Sequence, residues 1–287
     1  MSEFEILQPE EGTASKPKKE KVRYEQYADA FLMDMAKEEG LRLCFYGGRF
    51  LRYDGCRYVA EQQVHHRLRS YLLKQKIPQN NAVIGNVVPI IETRTLVRLD
   101  QRPELPFWMT NELPCEPRNV VAFRNGLIDI EKAIRGEPIL LPHTPKWVSP
   151  QCLPHDFDPT ARCLGWMAFL DETFEGDSER VALLQEWFGY CLTPDNSFQK
   201  MPRLKGVSRG GKGTIVGVLE ACLGSDNVTG YSLDSLSTQF GLGGLLGKLV
   251  PTIGEVNLQR NPNKYTIYQN LNMVTGNDLV EIDRISA

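Results

Sequence analysis

The chain has 287 residues, enough for about two ordinary domains, with 33 basic against 36 acidic side chains and a formal charge of −3. At 41% apolar and 24% charged it has the make-up of a folded globular protein, which excludes a fibre or a wholly disordered chain. Near-neutral charge also excludes indiscriminate coating of nucleic acid, while leaving room for a local basic groove. Apolar runs such as residues 87–91 fall short of a membrane span, and the charged first twenty residues lack the apolar stretch of a signal peptide. The expected location is therefore the cytoplasm, with no membrane partner. Seven cysteines at wide intervals, none in a Cys-x2-Cys pair, predict reduced thiols and neither a disulfide scaffold nor a zinc ribbon.

Residues 1–22 are rich in Glu, Lys, Pro and Ser and predict a disordered tail, because they cannot bury enough surface to offset ordering entropy. Over 24–39, Tyr27, Phe31 and Met35 recur every fourth position before Gly40, which predicts an amphipathic helix. Three short aromatic and β-branched runs follow at 41–46, 49–53 and 56–59, separated by Gly47-Gly48 and Asp54-Gly55; they predict a three-stranded meander. Val64, Leu68, Tyr71 and Leu72 share one face of a second helix over 61–76. A hairpin is expected at 120–130 around Asn125-Gly126. Six prolines between 138 and 159 predict an extended connector running over a surface. Two aromatic-rich helices, 164–174 and 179–191, should pack as a pair ending at Pro194.

At Lys200 the composition turns Gly-rich and basic. Gly206, Val207, Ser208, Arg209, Gly210, Gly211, Lys212, Gly213 and Thr214 match the Gly-x4-Gly-Lys core of a nucleotide-binding P-loop. Glycines let successive backbone amides turn toward phosphates without a Cβ in the way, and the lysine ammonium suits the β and γ oxygens. A helix over 214–223 supplies the required N-terminus. The hydroxyl that usually follows the lysine directly is displaced by one place, to Thr214. Lys200, Arg203, Lys205, Arg209 and Lys212 lie in a stretch free of acids, a field suited to a polyphosphate or a nucleic-acid backbone. Residues 249–253 predict a strand ending in Gly254-Glu255, where a carboxylate could hold Mg2+ or polarise water. His143, Cys152, His155 and Cys163 have zinc-ligand chemistry at irregular spacing.

Several segments together resemble one family. NVVAFRNGLIDIE at 119–131, His143-Thr144-Pro145, Asp156-Phe157-Asp158-Pro159 and LQEWFGYCLTP at 184–194 are similar to the domain that precedes the motor in phage and plasmid primase/helicases, relatives of the poxvirus primase-helicase. The loop at 206–214, the stretch 239–248, the strand ending in Glu255 and Thr275-Gly276-Asn277-Asp278 resemble that family's superfamily 3 helicase motor. The resemblance implies an α+β N-terminal domain over 23–198, followed over 199–287 by an incomplete α/β P-loop NTPase core of the AAA+-like, superfamily 3 type. It further implies ATP and Mg2+ as cofactors, with Lys212 on the phosphates, Thr214 and Glu255 at the metal, and Lys212 and Glu255 as the catalytic pair. Arg284 would touch DNA. The implied partners are single-stranded DNA or a replication origin and, in the family, identical subunits in a hexameric ring, inside a bacterial host cell. A polar sensor and an arginine finger have no counterpart, so the expectation is a C-terminally truncated member in which nucleotide binding survives and hydrolysis is doubtful. Two alternatives stand beside it: a small-molecule kinase, and a non-catalytic DNA-binding or interference fragment of a helicase.

Overall fold

A computed structural model of the chain describes residues 24–37, 42–97, 104–110, 114–137, 140–238, 242–254 and 261–276. The expected tail over 1–22, Glu255 and Arg284 lie outside the described residues. Helix α1 (Tyr24–Lys37) buries Ala28, Phe31 and Met35. Strands β1 (Leu43–Tyr46), β2 (Arg49–Tyr53) and β3 (Tyr58–Ala60) form the expected antiparallel meander in sequence order. Its first turn is Gly47-Gly48, both at positive φ, as a hairpin that follows the strand twist requires. Helix α2 (Val64–Lys74) turns Val64, Leu68 and Leu72 inward.

Helix α3 (Asn81–Thr95) is absent from the sequence reading, because Gly85 and Pro89 stand as breakers inside it. It forms because the Asn80 side chain caps it by accepting the Val83 amide, 3.0 Å away, and because Val83, Ile84, Val87, Val88 and Ile91 fall on one buried stripe. Gly85 and Pro89 are both exposed, so the amide that proline lacks leaves its unpaired carbonyl facing water and not the core. Helices α1, α2 and α3 close on Phe50 to make the first core.

Strand β4 (Phe107–Trp108) pairs with β8 (Trp147–Val148), and β5 (Val120–Phe123), β6 (Gly126–Asp129) and β7 (Leu140–Leu141) make a second antiparallel sheet. The β5–β6 register pairs Phe123 with Gly126, so the turn is Arg124-Asn125 and Gly126 opens the strand. Only glycine fits there, since a Cβ would lie 2.4 Å from the Leu141 carbonyl oxygen. Short helix α4 (Ile130–Ile134) follows, capped by the buried Asp129 carboxylate.

The proline-rich segment runs over the surface only in part: residues 154–156, 158 and 159 are exposed as expected, but 147–149 and 153 are not. Trp147, Val148, Ser149 and Leu153 are buried, and the backbone is satisfied as an irregular strand would be: the Tyr58 amide donates to Ser149 and the Leu153 amide to Ala122, both at 2.8 Å. Cys152, on this segment, is bonded to Cys56 in the β2–β3 turn, against the expectation of reduced thiols throughout.

Helices α5 (Leu164–Phe174) and α6 (Ser178–Tyr190) form the expected pair, with Trp166 stacked between Phe169 and Phe188. Residues 201–205 form no strand; they are exposed, and Pro202 removes a ladder donor. Helix α7 (Lys212–Leu223) leads to β9 (Val228–Tyr231), which pairs in parallel with β10 (Val250–Ile253), and α8 (Lys264–Gly276) packs Ile267 behind them. α7 shares cores with residues far upstream: Leu219 and Leu223 with Val121, Leu153 and Cys191, and Ile215 with Leu170 and Leu184. The result is a mixed α/β architecture of small sheets, with α7 wedged between the β5 strand and the α5–α6 pair.

Candidate functional site

The glycine loop sits at the N-terminus of α7. The Gly210 amide donates to the Val207 carbonyl at 3.2 Å, closing a four-residue turn in which Arg209 has φ 59°. Gly211 then takes φ 76°, ψ −7° as the residue preceding the helix. Two nearby left-handed residues swing the chain sharply into α7, and a Cβ at Gly210 would press on Val207 at 3.1 Å. The first helical bond runs from the Ile215 amide to Gly211, so helix geometry gives the amides of Lys212, Gly213 and Thr214 no acceptor within α7. They share one end of a twelve-residue helix whose dipole is positive there.

Lys212 folds back over its own loop, its Nζ donating to the carbonyls of Gly206 (3.0 Å) and Val207 (2.6 Å). The ammonium is thus held at the mouth of the turn by neutral acceptors, which an anionic oxygen outcompetes because opposite charge adds Coulomb attraction to the hydrogen bond. Residues 206–210 are exposed, so a ligand reaches the loop without rearrangement of the core. A cation and amides without helical partners lie together at one helix N-terminus, a chemistry that suits an anion.

For a metal the fit is partial. Thr214 is exposed at the third position of α7, about 100° around the helix from Gly213, where the hydroxyl usually stands. β10 ends at Ile253 and Gly254 follows, while Glu255 lies outside the described residues, so the meeting of loop and carboxylate stays an expectation. Arg284 lies outside them as well. The rear of α7 is tied to β10 by the Thr252 hydroxyl, which donates to Glu220 at 2.8 Å.

Lys200, Arg203, Lys205 and Arg209 are exposed along the unpaired segment leading into the loop, and none forms a salt bridge among the described residues. The other candidate group is not assembled. Cys152 is bonded to Cys56, His155 Nε2 lies 2.8 Å from the Ala221 carbonyl, and Cys163 is exposed. His143 Nε2 instead lies 3.5 Å from the Cys56 sulfur. Among the described residues no set of three or more His, Cys, Asp or Glu side chains is arranged to hold a metal ion. Burial pushes the Cys44 and Cys191 thiols up to about 12, which keeps them inert.

One part of the site has no signal in the sequence: Phe169 and Thr173 of α5 back directly onto Gly211. Helical spacing marks Phe169 as apolar, but no local pattern says that its neighbour is a loop some forty positions on.

The family model described as D5 N terminal like matches residues 29–175, slightly more than half of the chain, from α1 to the end of α5. The chain belongs to that family. Its domain occurs in phage and plasmid primase-helicase proteins, which relates this chain to replication proteins of that kind. No curated protein matches the sequence. Among the described residues no helix is long and apolar enough to cross a membrane.

Proposed function

We propose that the chain is an ATP-binding replication protein of a phage- or plasmid-like mobile element, acting on single-stranded DNA or at a replication origin in the cytoplasm of a bacterial host. The observation that carries the nucleotide part is the Lys212 ammonium, held over the Gly206 and Val207 carbonyls at the start of α7, in a chain of the D5 N-terminal-like family. Bound there, the γ and β phosphates of ATP replace the two carbonyls as acceptors for Lys212, and the amides of residues 212–214 supply further donors. Mg2+ would neutralise phosphate charge, with Thr214 and Glu255 as its protein ligands. The P-loop NTPase assignment for residues 199–287, of superfamily 3 helicase type, and a hexameric ring belong to the same proposal. The basic run from Lys200 to Arg209 offers phosphate contacts for the DNA strand.

The test is titration of the purified chain with a fluorescent ATP analogue, with and without Mg2+, alongside Lys212→Ala. Saturable binding by the wild type and binding at least about thirtyfold weaker by the variant support the reading, since a charge-assisted contact is worth about 2–3 kcal/mol. Equal affinities would remove it.

A further inference from the structure

The loop that carries Lys212 has a floor, and the floor belongs to another part of the chain. A Cβ built on Gly211 would lie 3.0 Å from Phe169 Cζ, 3.3 Å from Phe169 Cε2 and 3.3 Å from Thr173 Cγ2. Those distances are tighter than ordinary contact, so the Gly211 backbone rests directly on the α5 surface. Phe169 in turn stacks on Trp166, with centroids 5.4 Å apart, and Trp166 on Phe188 of α6, 5.8 Å away, so the ring is braced from behind. One turn further on, Ile215 of α7 is buried between Leu170 and Leu184. The first turn of α7 is therefore clamped to α5 and α6, whereas residues 206–210 are exposed to water.

From this contact we infer that Phe169, with Thr173, is a positioning residue for the phosphate loop: the last helix of the D5 N-terminal-like domain sets the direction of the α7 amides and of Lys212. This rests on the nucleotide-binding reading above and assigns its control to α5. The physical reason is the backbone conformation at Gly211. At φ 76° a glycine is free to swing. A flat, braced ring beneath it limits that freedom, so the amides of residues 212–214 point one way before any ligand arrives. Pre-organisation of this kind raises affinity without adding a contact to the ligand. The same contact makes position 211 doubly restrictive, through its φ and through the ring.

Four proteins test it by titration with a fluorescent ATP analogue: Phe169→Ala, Phe169→Leu, Gly211→Ala and the double variant Phe169→Ala/Gly211→Ala. Phe169→Ala should weaken binding about tenfold, as expected of a loop allowed to wander by a fraction of an ångström. Phe169→Leu, which keeps apolar bulk under the glycine, should recover at least half of that loss. Gly211→Ala should weaken binding more than Phe169→Ala does, and the double variant should bind better than Gly211→Ala alone, because the obstacle to the new methyl is gone. A merely structural role for Phe169 predicts instead that the affinity losses track losses of melting temperature across the four proteins, whereas a positioning role lowers affinity with the melting temperature little changed. Thermal melts of each variant separate misfolding from misplacement; if Phe169→Ala does not fold, the Leu variant and its own double with Gly211→Ala carry the same comparison. Wild-type affinity in Phe169→Ala, or additive losses in the double, overturns the positioning role. Should Lys212→Ala also leave binding unchanged, the nucleotide reading falls and this inference with it; if Lys212→Ala alone abolishes binding, only the α5 floor is wrong.

Discussion

Leu223, the last residue of α7, is wholly buried in the core it shares with Val121, Leu153, Leu219 and Cys191, so its removal tests whether α7 and the β5 region stand or fall together. Truncation to alanine removes most of a fully packed aliphatic side chain and leaves a cavity whose walls come from separate parts of the chain. Partial collapse is the best such a site can achieve, which places the cost at about 3 kcal/mol. In urea, with a slope of about 3 kcal/mol/M for a chain of this size, the midpoint should fall by about 1 M. Trp187 packs against the same core and reports it by fluorescence, while Trp108 and Trp147 report the neighbouring one. Leu183→Ala, at a position 67% exposed, is the control and should change the stability by no more than about 0.5 kcal/mol. The double variant Leu153→Ala/Leu223→Ala should be non-additive by at least about 0.5 kcal/mol, as for residues sharing one cavity. A Leu223→Ala cost below about 1 kcal/mol, or strict additivity with Leu153→Ala, would mean that α7 does not share this core in solution.

Other expectations follow from single residues. Gly85 is helical in α3 with open space where a Cβ would stand, so Gly85→Ala should stabilise by about 0.5–1 kcal/mol, read from the melting temperature. Asp226 accepts a hydrogen bond from Arg57, which holds its carboxyl below the usual range. The pair therefore contributes stability above the ordinary Asp pKa of about 4 and loses it as pH falls through the lowered value. Because Asp226 is 67% exposed, screening limits the effect to about 0.5 kcal/mol, and the small gap between wild type and Asp226→Asn at pH 7 should close in acid melts. Thr214→Ala should lower the Mg2+-dependent part of nucleotide affinity while sparing the Mg2+-independent part; equal loss of both would separate Thr214 from the metal.

Where the sequence was legible, local chemistry carried the signal. The meander followed from its Gly47-Gly48 turn and aromatic runs, and α5 and α6 from their apolar spacing, interrupted at Gly176 and ended by Pro194. The start of α7 was legible because glycines precede an apolar helical spacing that Gly224 ends, whereas the phosphate that this loop would hold belongs to the proposal. What escaped depends on contacts distant in sequence. α3 carries its stripe of Val83, Ile84, Val87, Val88 and Ile91 plainly, yet Gly85 and Pro89 concealed it; their exposure, which makes them tolerable, is a tertiary fact. The proline-rich segment suggested a surface path because proline cannot complete a ladder, but Ser149 and Leu153 find backbone partners on β3 and β5 instead. The Cys56–Cys152 bond spans 96 positions, and the floor of the loop joins α5 to Gly211; neither leaves a local trace.

Amide chemical shifts of residues 210–213 in the glycine- and lysine-labelled chain, followed as a non-hydrolysable ATP analogue and Mg2+ are added, address the nucleotide site most directly. Large, saturable changes at Gly210, Gly211, Lys212 and Gly213 with the triphosphate, absent with the nucleoside alone, are the expected result. Unmoved amides at these positions, or changes confined to other glycines, would contradict a phosphate site at the start of α7.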